Sequence, residues 1–142
     1  MQNNQAPQLS LEGFCPLLQV FDMARSLQFY RDILQFKVVS ASSEDDDADW
    51  VLLEYNGISL MLNTLYEKEN RPQEPDVDRY NVHQDVILYF GSRDIDSAYR
   101  YLLSKDIDVD APSITGYAFR AISFKDPDGY AICIHWPNEK NN

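Results

Sequence analysis

The sequence predicts an α+β fold of two tandem βαβββ modules, each a mostly antiparallel, curved four-stranded sheet with one helix on its outer face. Three observations carry this expectation. Two alternating apolar runs fold back around a turn signal: Asn56-Gly57 within WVLLEYNGISLMLNTL, and Asp126-Pro127-Asp128-Gly129 within FRAISFKDPDGYAICIHW. An aspartate, Asp22 or Asp94, precedes each of two stretches with helical apolar spacing and is suited to cap it. Aligning Asp22 with Asp94, and Gly57 with Gly129, superposes every element of one half on the other, the mark of an internal repeat.

Residues 1–12 are polar and read as a flexible N-terminus; the first module spans 13–66, a connector 67–82, the second module 83–138 and a tail 139–142. In the first module Phe14–Phe21 is a short apolar strand that Pro16 assigns to an edge. A helix runs from Met23 to near Leu34, with Met23, Leu27, Tyr30 and Ile33 on its buried stripe, and Phe36–Ala41 is a strand. Ser42–Asp49 (SSEDDDAD) reads as a solvated acidic loop, because its carboxylates lack the spacing and glycine of a calcium loop. Pairing Tyr55 with Ile58 puts Val51, Leu53, Leu60 and Leu62 on a dry face. Trp50, Leu52, Glu54, Ser59, Met61 and Asn63 fall on a mixed one.

The connector, with Pro72, Pro75 and many charges, shows no periodicity of its own. Gln84–Phe90 is the next strand, with Leu88 and Phe90 opposite Ile87 and Tyr89. A helix follows from Asp94 to near Ser104, then a short strand over Ile107–Val109 and a loop over 112–118. Closing the last hairpin on Lys125 and Tyr130 gives one face of Phe119, Ala121, Ser123, Tyr130, Ile132, Ile134 and Trp136, which reads as core. The other face, with Arg120, Ile122, Phe124, Ala131, Cys133 and His135, reads as a pocket wall. Each helix covers the dry face of its sheet, so the two mixed faces together form a cupped pocket.

Hydrophobic residues make up 44% of the 142 and aromatics 13%, enough to exclude general disorder. Asp and Glu total 23 against 12 Lys and Arg, a net charge of −11, which argues against nucleic acid or an anionic membrane as partner and permits a cationic ligand. Cys15 and Cys133 make neither a disulfide framework nor a CxxC metal motif. With no bilayer-length apolar run and no basic-then-apolar leader in MQNNQAPQLSLEG, the expected compartment is the cytoplasm.

The chain resembles the vicinal oxygen chelate superfamily, which includes glyoxalase I, extradiol dioxygenases and bleomycin-resistance proteins. The resemblance rests on Val20-Phe21-Asp22, Ser26 to Tyr30, Leu34-Gln35-Phe36, Asp94-Ile95-Asp96 with Ala98-Tyr99, and Asp126 to Tyr130. Gln35 and Asp106 stand where the family usually has a glycine after each helix, at positions that tend to need left-handed geometry. Carried over by offset, the four metal-ligand places of the family's enzymes fall at Cys15, Met61, Ile87 and Cys133. These side chains are not the His and carboxylate set that lyase or oxygenase metals require.

The resemblance therefore implies a bleomycin-resistance-like protein: a homodimer binding a cationic or aromatic small molecule without metal, cofactor or catalytic residue. Pro16, the proline-containing connector and Gly116-Tyr117 leading to Arg120 fit that branch. The candidate pocket is Cys15, Leu17, Gln19, Trp50, Leu52, Glu54, Met61, Asn63, Ile87, Tyr89, Arg120, Ile122, Phe124, Cys133 and His135. Trp50 and Tyr89 suit stacking on a planar group, Glu54 suits a ligand cation, and Arg120 with Asn63 suits a carbonyl or carboxylate. The alternative is a divalent-metal lyase, isomerase or dioxygenase. A two-residue slip would bring His83 or Asp85 toward the place of Ile87, and His135 toward that of Cys133.

Overall fold

The computed structural model describes residues 6–138, so the expected loose segment over 1–12 lies partly outside the described residues and the expected tail over 139–142 wholly outside them. Strand β1 (Leu17–Val20) leads into α1 (Met23–Leu27), which continues as a π-helical turn over Gln28–Ile33. Strands β2 (Lys37–Ala41), β3 (Trp50–Tyr55) and β4 (Ile58–Thr64) complete a sheet ordered β1-β4-β3-β2. After α2 (Val77–Val82) the pattern recurs as β5 (Ile87–Gly91), α3 (Ile95–Ser104), β6 (Ser113–Ile114), β7 (Phe119–Lys125) and β8 (Ala131–Pro137). The second sheet is ordered β5-β8-β7-β6. In each sheet the first strand is an edge, parallel to its neighbour, and the remaining pairs are antiparallel. This is the predicted α+β architecture.

Matching residues begin and end both helices. Asp22 accepts the N–H groups of Ala24 and Arg25 at 3.1 and 3.4 Å, and Asp94 accepts that of Ser97 at 3.0 Å. At the far ends Gln35 and Asp106 are left-handed, with φ of 71° and 59°, as the missing glycines suggested. The next residue then reaches back into the helix: Phe36 N–H to the Tyr30 carbonyl at 3.0 Å, and Ile107 N–H to that of Leu102 at 3.1 Å.

That cap corrects one expectation. Ile107–Val109 is not a strand, because the Ile107 N–H is used by the helix end; Val109 is buried all the same, and the strand that pairs with β7 is Ser113–Ile114. The connector also differs. Asp76 accepts the Asp78 N–H at 2.9 Å and starts α2, and a 3-10 turn over His83–Asp85 delays β5 to Ile87.

A further correction turns a strand over. The last hairpin closes on Asp126 and Tyr130, with the Asp126 N–H donating to the Tyr130 carbonyl at 2.9 Å. Pro127-Asp128-Gly129 is therefore a three-residue loop, with Gly129 at φ 89°. The Asp126 carboxylate fixes it by accepting the N–H groups of Asp128 and Tyr130 at 2.8 and 2.9 Å. Lys125 pairs with Ala131, Ser123 with Cys133 and Ile122 with Ile134. A slip of one residue flips every side chain of a strand. Arg120, Ile122 and Phe124 consequently lie on the helix-covered face rather than the open one. Ile122 and Phe124 are core, and Arg120 bonds Asp96 of α3 at 2.7 Å.

The helix-covered faces of both sheets share one core, in which Val20, Leu53, Leu62 and Ile132 have no exposed surface. Each such side chain contributes roughly 1.5–3 kcal/mol. The last hairpin turn fastens one module to the other. The Tyr30 hydroxyl of the first helix donates to Asp126 at 2.6 Å, and the Tyr130 hydroxyl donates to the Gln19 carbonyl at 3.1 Å. Asp128 accepts from the Phe21 N–H at 2.8 Å, the Ser26 hydroxyl at 3.4 Å and the Arg79 guanidinium at 2.8 Å. Burial pushes the Asp126 carboxyl up to about 6, against donors that favour its ionised form.

Candidate functional site

Alternation along the strands gives each sheet an open face in cross-strand rows. In the first sheet Gln19 lies beside Asn63 and Trp50, and the Asn63 amide donates to the Gln19 side chain at 3.4 Å. Leu17, Met61 and Leu52 form the next row. Glu54 faces Ser59, whose hydroxyl reaches the carboxylate at 3.5 Å. Cys15 precedes β1 on the same alternation, half-buried, with its thiol toward the Pro16 carbonyl. The sequence-predicted residues of this module thus come together on one face.

In the second sheet Ile87, Tyr89, Cys133 and His135 lie on the open face, as expected. The register brings in Phe119, Ala121 and Ser123, which the sequence reading had placed in the core. The His135 ring sits between two aromatic rings nearly perpendicular to it, Tyr89 and Phe119, each with its centroid 5.2 Å away. Burial pushes the Cys133 thiol up from its ordinary value, against the neighbouring Ser123, so it stays protonated at neutral pH. Phe119 and Ser123 fall on the wrong face when the loop is closed on Lys125 and Tyr130, one residue wider than the Asp126–Tyr130 closure of the structure.

The open faces are exposed in a single chain: Leu17 retains 43%, Ile87 50% and Tyr89 64% of its surface. Among the described residues no strand of one sheet pairs with a strand of the other. A groove of about 600 Å³ follows the free edge of β5 past Phe14, Pro16 and the β3–β4 turn, and of the candidates Ile87 and Tyr89 line it.

At the four places where relatives hold a metal, Ile87 offers no donor, while Cys15, Met61 and Cys133 offer only sulfur. A hard divalent ion does not fit that set. The slip that would rescue it is not present, since Ile87 pairs with Ala131 in an unbroken register. His83 instead stacks on Tyr130 with centroids 4.0 Å apart, its Nδ1 2.8 Å from the Asp128 carbonyl, so it belongs to the inter-module junction. Among the described residues no three His, Cys, Asp or Glu side chains gather as a metal cluster, and no helix is long and apolar enough to cross a membrane.

Two sheets of βαβββ connectivity, each backed by a helix and open on its other face, define a paired-module class of α+β protein. The profile of the Glyoxalase/Bleomycin resistance protein/Dioxygenase superfamily matches residues 14–134, and the chain belongs to that family. Among solved structures it is similar to a glyoxalase/bleomycin resistance protein/dioxygenase from Nocardioides, with 21% identity, 95% of this chain and 89% of that one covered, and a TM-score of 0.69. TnmS3, an antibiotic binding protein from Streptomyces, is 19% identical over 92% of this chain and 100% of its own, with a TM-score of 0.66. A protein of unknown function from Agrobacterium tumefaciens is 26% identical over 90% and 95%, with a TM-score of 0.65. No curated protein matches the chain significantly.

Proposed function

We propose that the protein binds a small molecule, cationic or aromatic, on its open sheet faces without a metal and without bond-making, in the manner of bleomycin-resistance proteins. The observation that carries this is the donor set: Cys15, Met61, Ile87 and Cys133 stand where a catalytic ion would need imidazole and carboxylate. Around them the faces offer what non-covalent recognition uses. Trp50, Tyr89 and Phe119 present aromatic surface, while Glu54, Asn63, Gln19 and His135 supply polar groups. The same scaffold serves antibiotic binding in TnmS3.

The protein works as a homodimer in this proposal. The modules of one chain join through their helix-covered sides, so a closed cup takes one open face from each of two copies. Leu17, Ile87 and Tyr89 then become its walls. Two free cysteines suit a reducing cytoplasm.

Fluorescence titration with bleomycin and a panel of cationic aromatic compounds tests the proposal. Trp50 lies on the open face, whereas Trp136 lies on the covered face beneath the Arg93 guanidinium, 4.9 Å from it. A saturable change that disappears in Trp50→Phe and persists in Trp136→Phe is the expected result. Silence across the panel at high concentration, or stoichiometric Ni, Mn, Fe or Zn in elemental analysis of untagged protein, overturns it.

A further inference from the structure

A cavity of about 300 Å³ lies in the seam between the two modules, on the helix-covered side of both sheets. Leu34 and Phe36 enter it from the end of the first helix, and Phe90, Phe124 and Ile134 from the second sheet. The β3–β4 turn borders its mouth with Tyr55, Asn56 and Ile58. The lining carries no charged side chain, although the chain as a whole has a net charge of −11. Its polar side chains are Tyr55, Asn56 and Ser92.

Protein interiors leave few voids larger than a water molecule, and an ordered water needs two to four polar partners. The aliphatic and aromatic side chains that make up most of this wall supply none, so its polar partners are confined to the mouth formed by Tyr55, Asn56 and Ser92. An enclosed apolar cavity of about 150 Å³ takes up benzene, so this pocket, open at its mouth and roughly twice as large, has room for two fused rings. The aromatic walls are set for such a guest. Phe36 meets Phe90 at 6.1 Å and 69°, and Tyr55 at 5.8 Å and 51°, so the rings present edges and faces instead of stacking on each other.

The backbone that forms these walls is left-handed at two points, the end of the first helix and the β3–β4 turn. Gln35, at φ 71° between Leu34 and Phe36, holds a left-handed conformation that a long side chain rarely adopts. Before it, the Leu34 N–H reaches the Phe29 carbonyl at 2.9 Å, the widened π-helical spacing that recurs at functional sites. Across the cavity Asn56 is also left-handed, at φ 46°.

We propose that the seam cavity is a second binding site, for a neutral planar molecule of one or two fused rings bearing at most one polar group. Absence of charge in the lining excludes ionic ligands, since nothing there would replace the hydration they lose. Tyr55, Asn56 and Ser92 are the polar groups that can anchor the guest. The site is distinct from the open faces and stands whether or not they bind a ligand.

Indole, neutral and with one N–H, is the probe. It is titrated into the full chain, labelled at its methyl groups, and followed by NMR. The expected result is saturable shifts at Leu34 and Ile134 with Overhauser contacts from indole to both. Ile58→Trp, which extends a larger ring into the cavity, weakens binding by about tenfold or more. Tyr89→Ala and Trp50→Phe, on the open faces, leave it within about twofold. Should Ile58→Trp misfold, the Overhauser contacts in the unmodified chain decide alone. No saturable shift at these methyls overturns the proposal; so does loss of indole binding in Tyr89→Ala with Ile58→Trp unaffected, which would assign indole to the open faces.

Discussion

Gly129→Ala tests the junction that sets the orientation of both modules. Gly57 and Gly129 occupy matching turns with φ of 79° and 89°. A β-carbon in either place incurs the left-handed penalty, about 1–2 kcal/mol. Their surroundings differ. Nothing lies within 4 Å of a β-carbon at Gly57, whereas one at Gly129 would sit 2.1 Å from the Tyr80 carbonyl oxygen and 2.9 Å from its carbon. That oxygen belongs to the backbone of α2, so a helix must retreat by about 1 Å, and overpacking of this kind costs about 1–3 kcal/mol. Retreat also loosens the Arg79 and His83 contacts to Asp128, both 2.8 Å. Gly129→Ala should therefore lose about 2–5 kcal/mol, lowering Tm by about 5–15 °C. Gly57→Ala should lose the strain component alone. Urea unfolding of both variants, read as the difference between them, isolates the contact. Equal losses to within about 0.5 kcal/mol would refute the account of the turn as a bolt against α2.

Asp126 holds its proton more tightly folded, with its carboxyl pushed from 3.8 to about 6, so its stabilising contribution is full below 3.8 and gone above about 6. Unfolding free energies at pH 4 and pH 7 should accordingly show Asp126→Asn gaining on the unmodified chain by up to about 3 kcal/mol as pH rises, and parallel curves would contradict this. Phe124→Ala should cost about 3–5 kcal/mol and Ser123→Ala no more than about 0.5 kcal/mol. The reverse order in chemical denaturation would restore the register expected from the sequence. Tyr89→Asp, which puts a charge on a side chain 64% exposed on the open face, should shift the sedimentation of a dimer toward monomer while leaving the fold intact. An unchanged sedimentation coefficient would count against the two-copy cup.

What could be read directly was what local chemistry determines. Asp22 and Asp94 cap because a carboxylate satisfies free helix N–H groups, and Asn56-Gly57 turns because both residues tolerate positive φ. Even Gln35 and Asp106 were identifiable as left-handed, from their position after each helix. The failures came where two local readings competed and a tertiary contact decided. Ile107 had strand-like character, but the helix end took its N–H. Val77–Val82 lacks an apolar stripe and is helical because Asp76 caps it and Arg79 is held by Asp128.

The register of β7 is the consequential case, because one residue of loop length decides what a ligand meets. Both hairpins began from equivalent places, yet the first turns on two residues and the second on three. The additional residue is stabilised from outside the hairpin: Asp126 is held by Tyr30, and Asp128 by Phe21, Ser26 and Arg79, all beyond the second sheet. The contacts that bind the modules together therefore also turn Phe119 and Ser123 outward and bury Phe124. The repeat units have diverged through that junction. One open face carries an amide–indole row of Gln19, Asn63 and Trp50, while the other carries a histidine between two perpendicular aromatic rings. In the proposed two-copy cup a ligand would meet polar groups on one wall and perpendicular aromatic rings on the other, an arrangement suited to a planar molecule with its polar substituents along one margin.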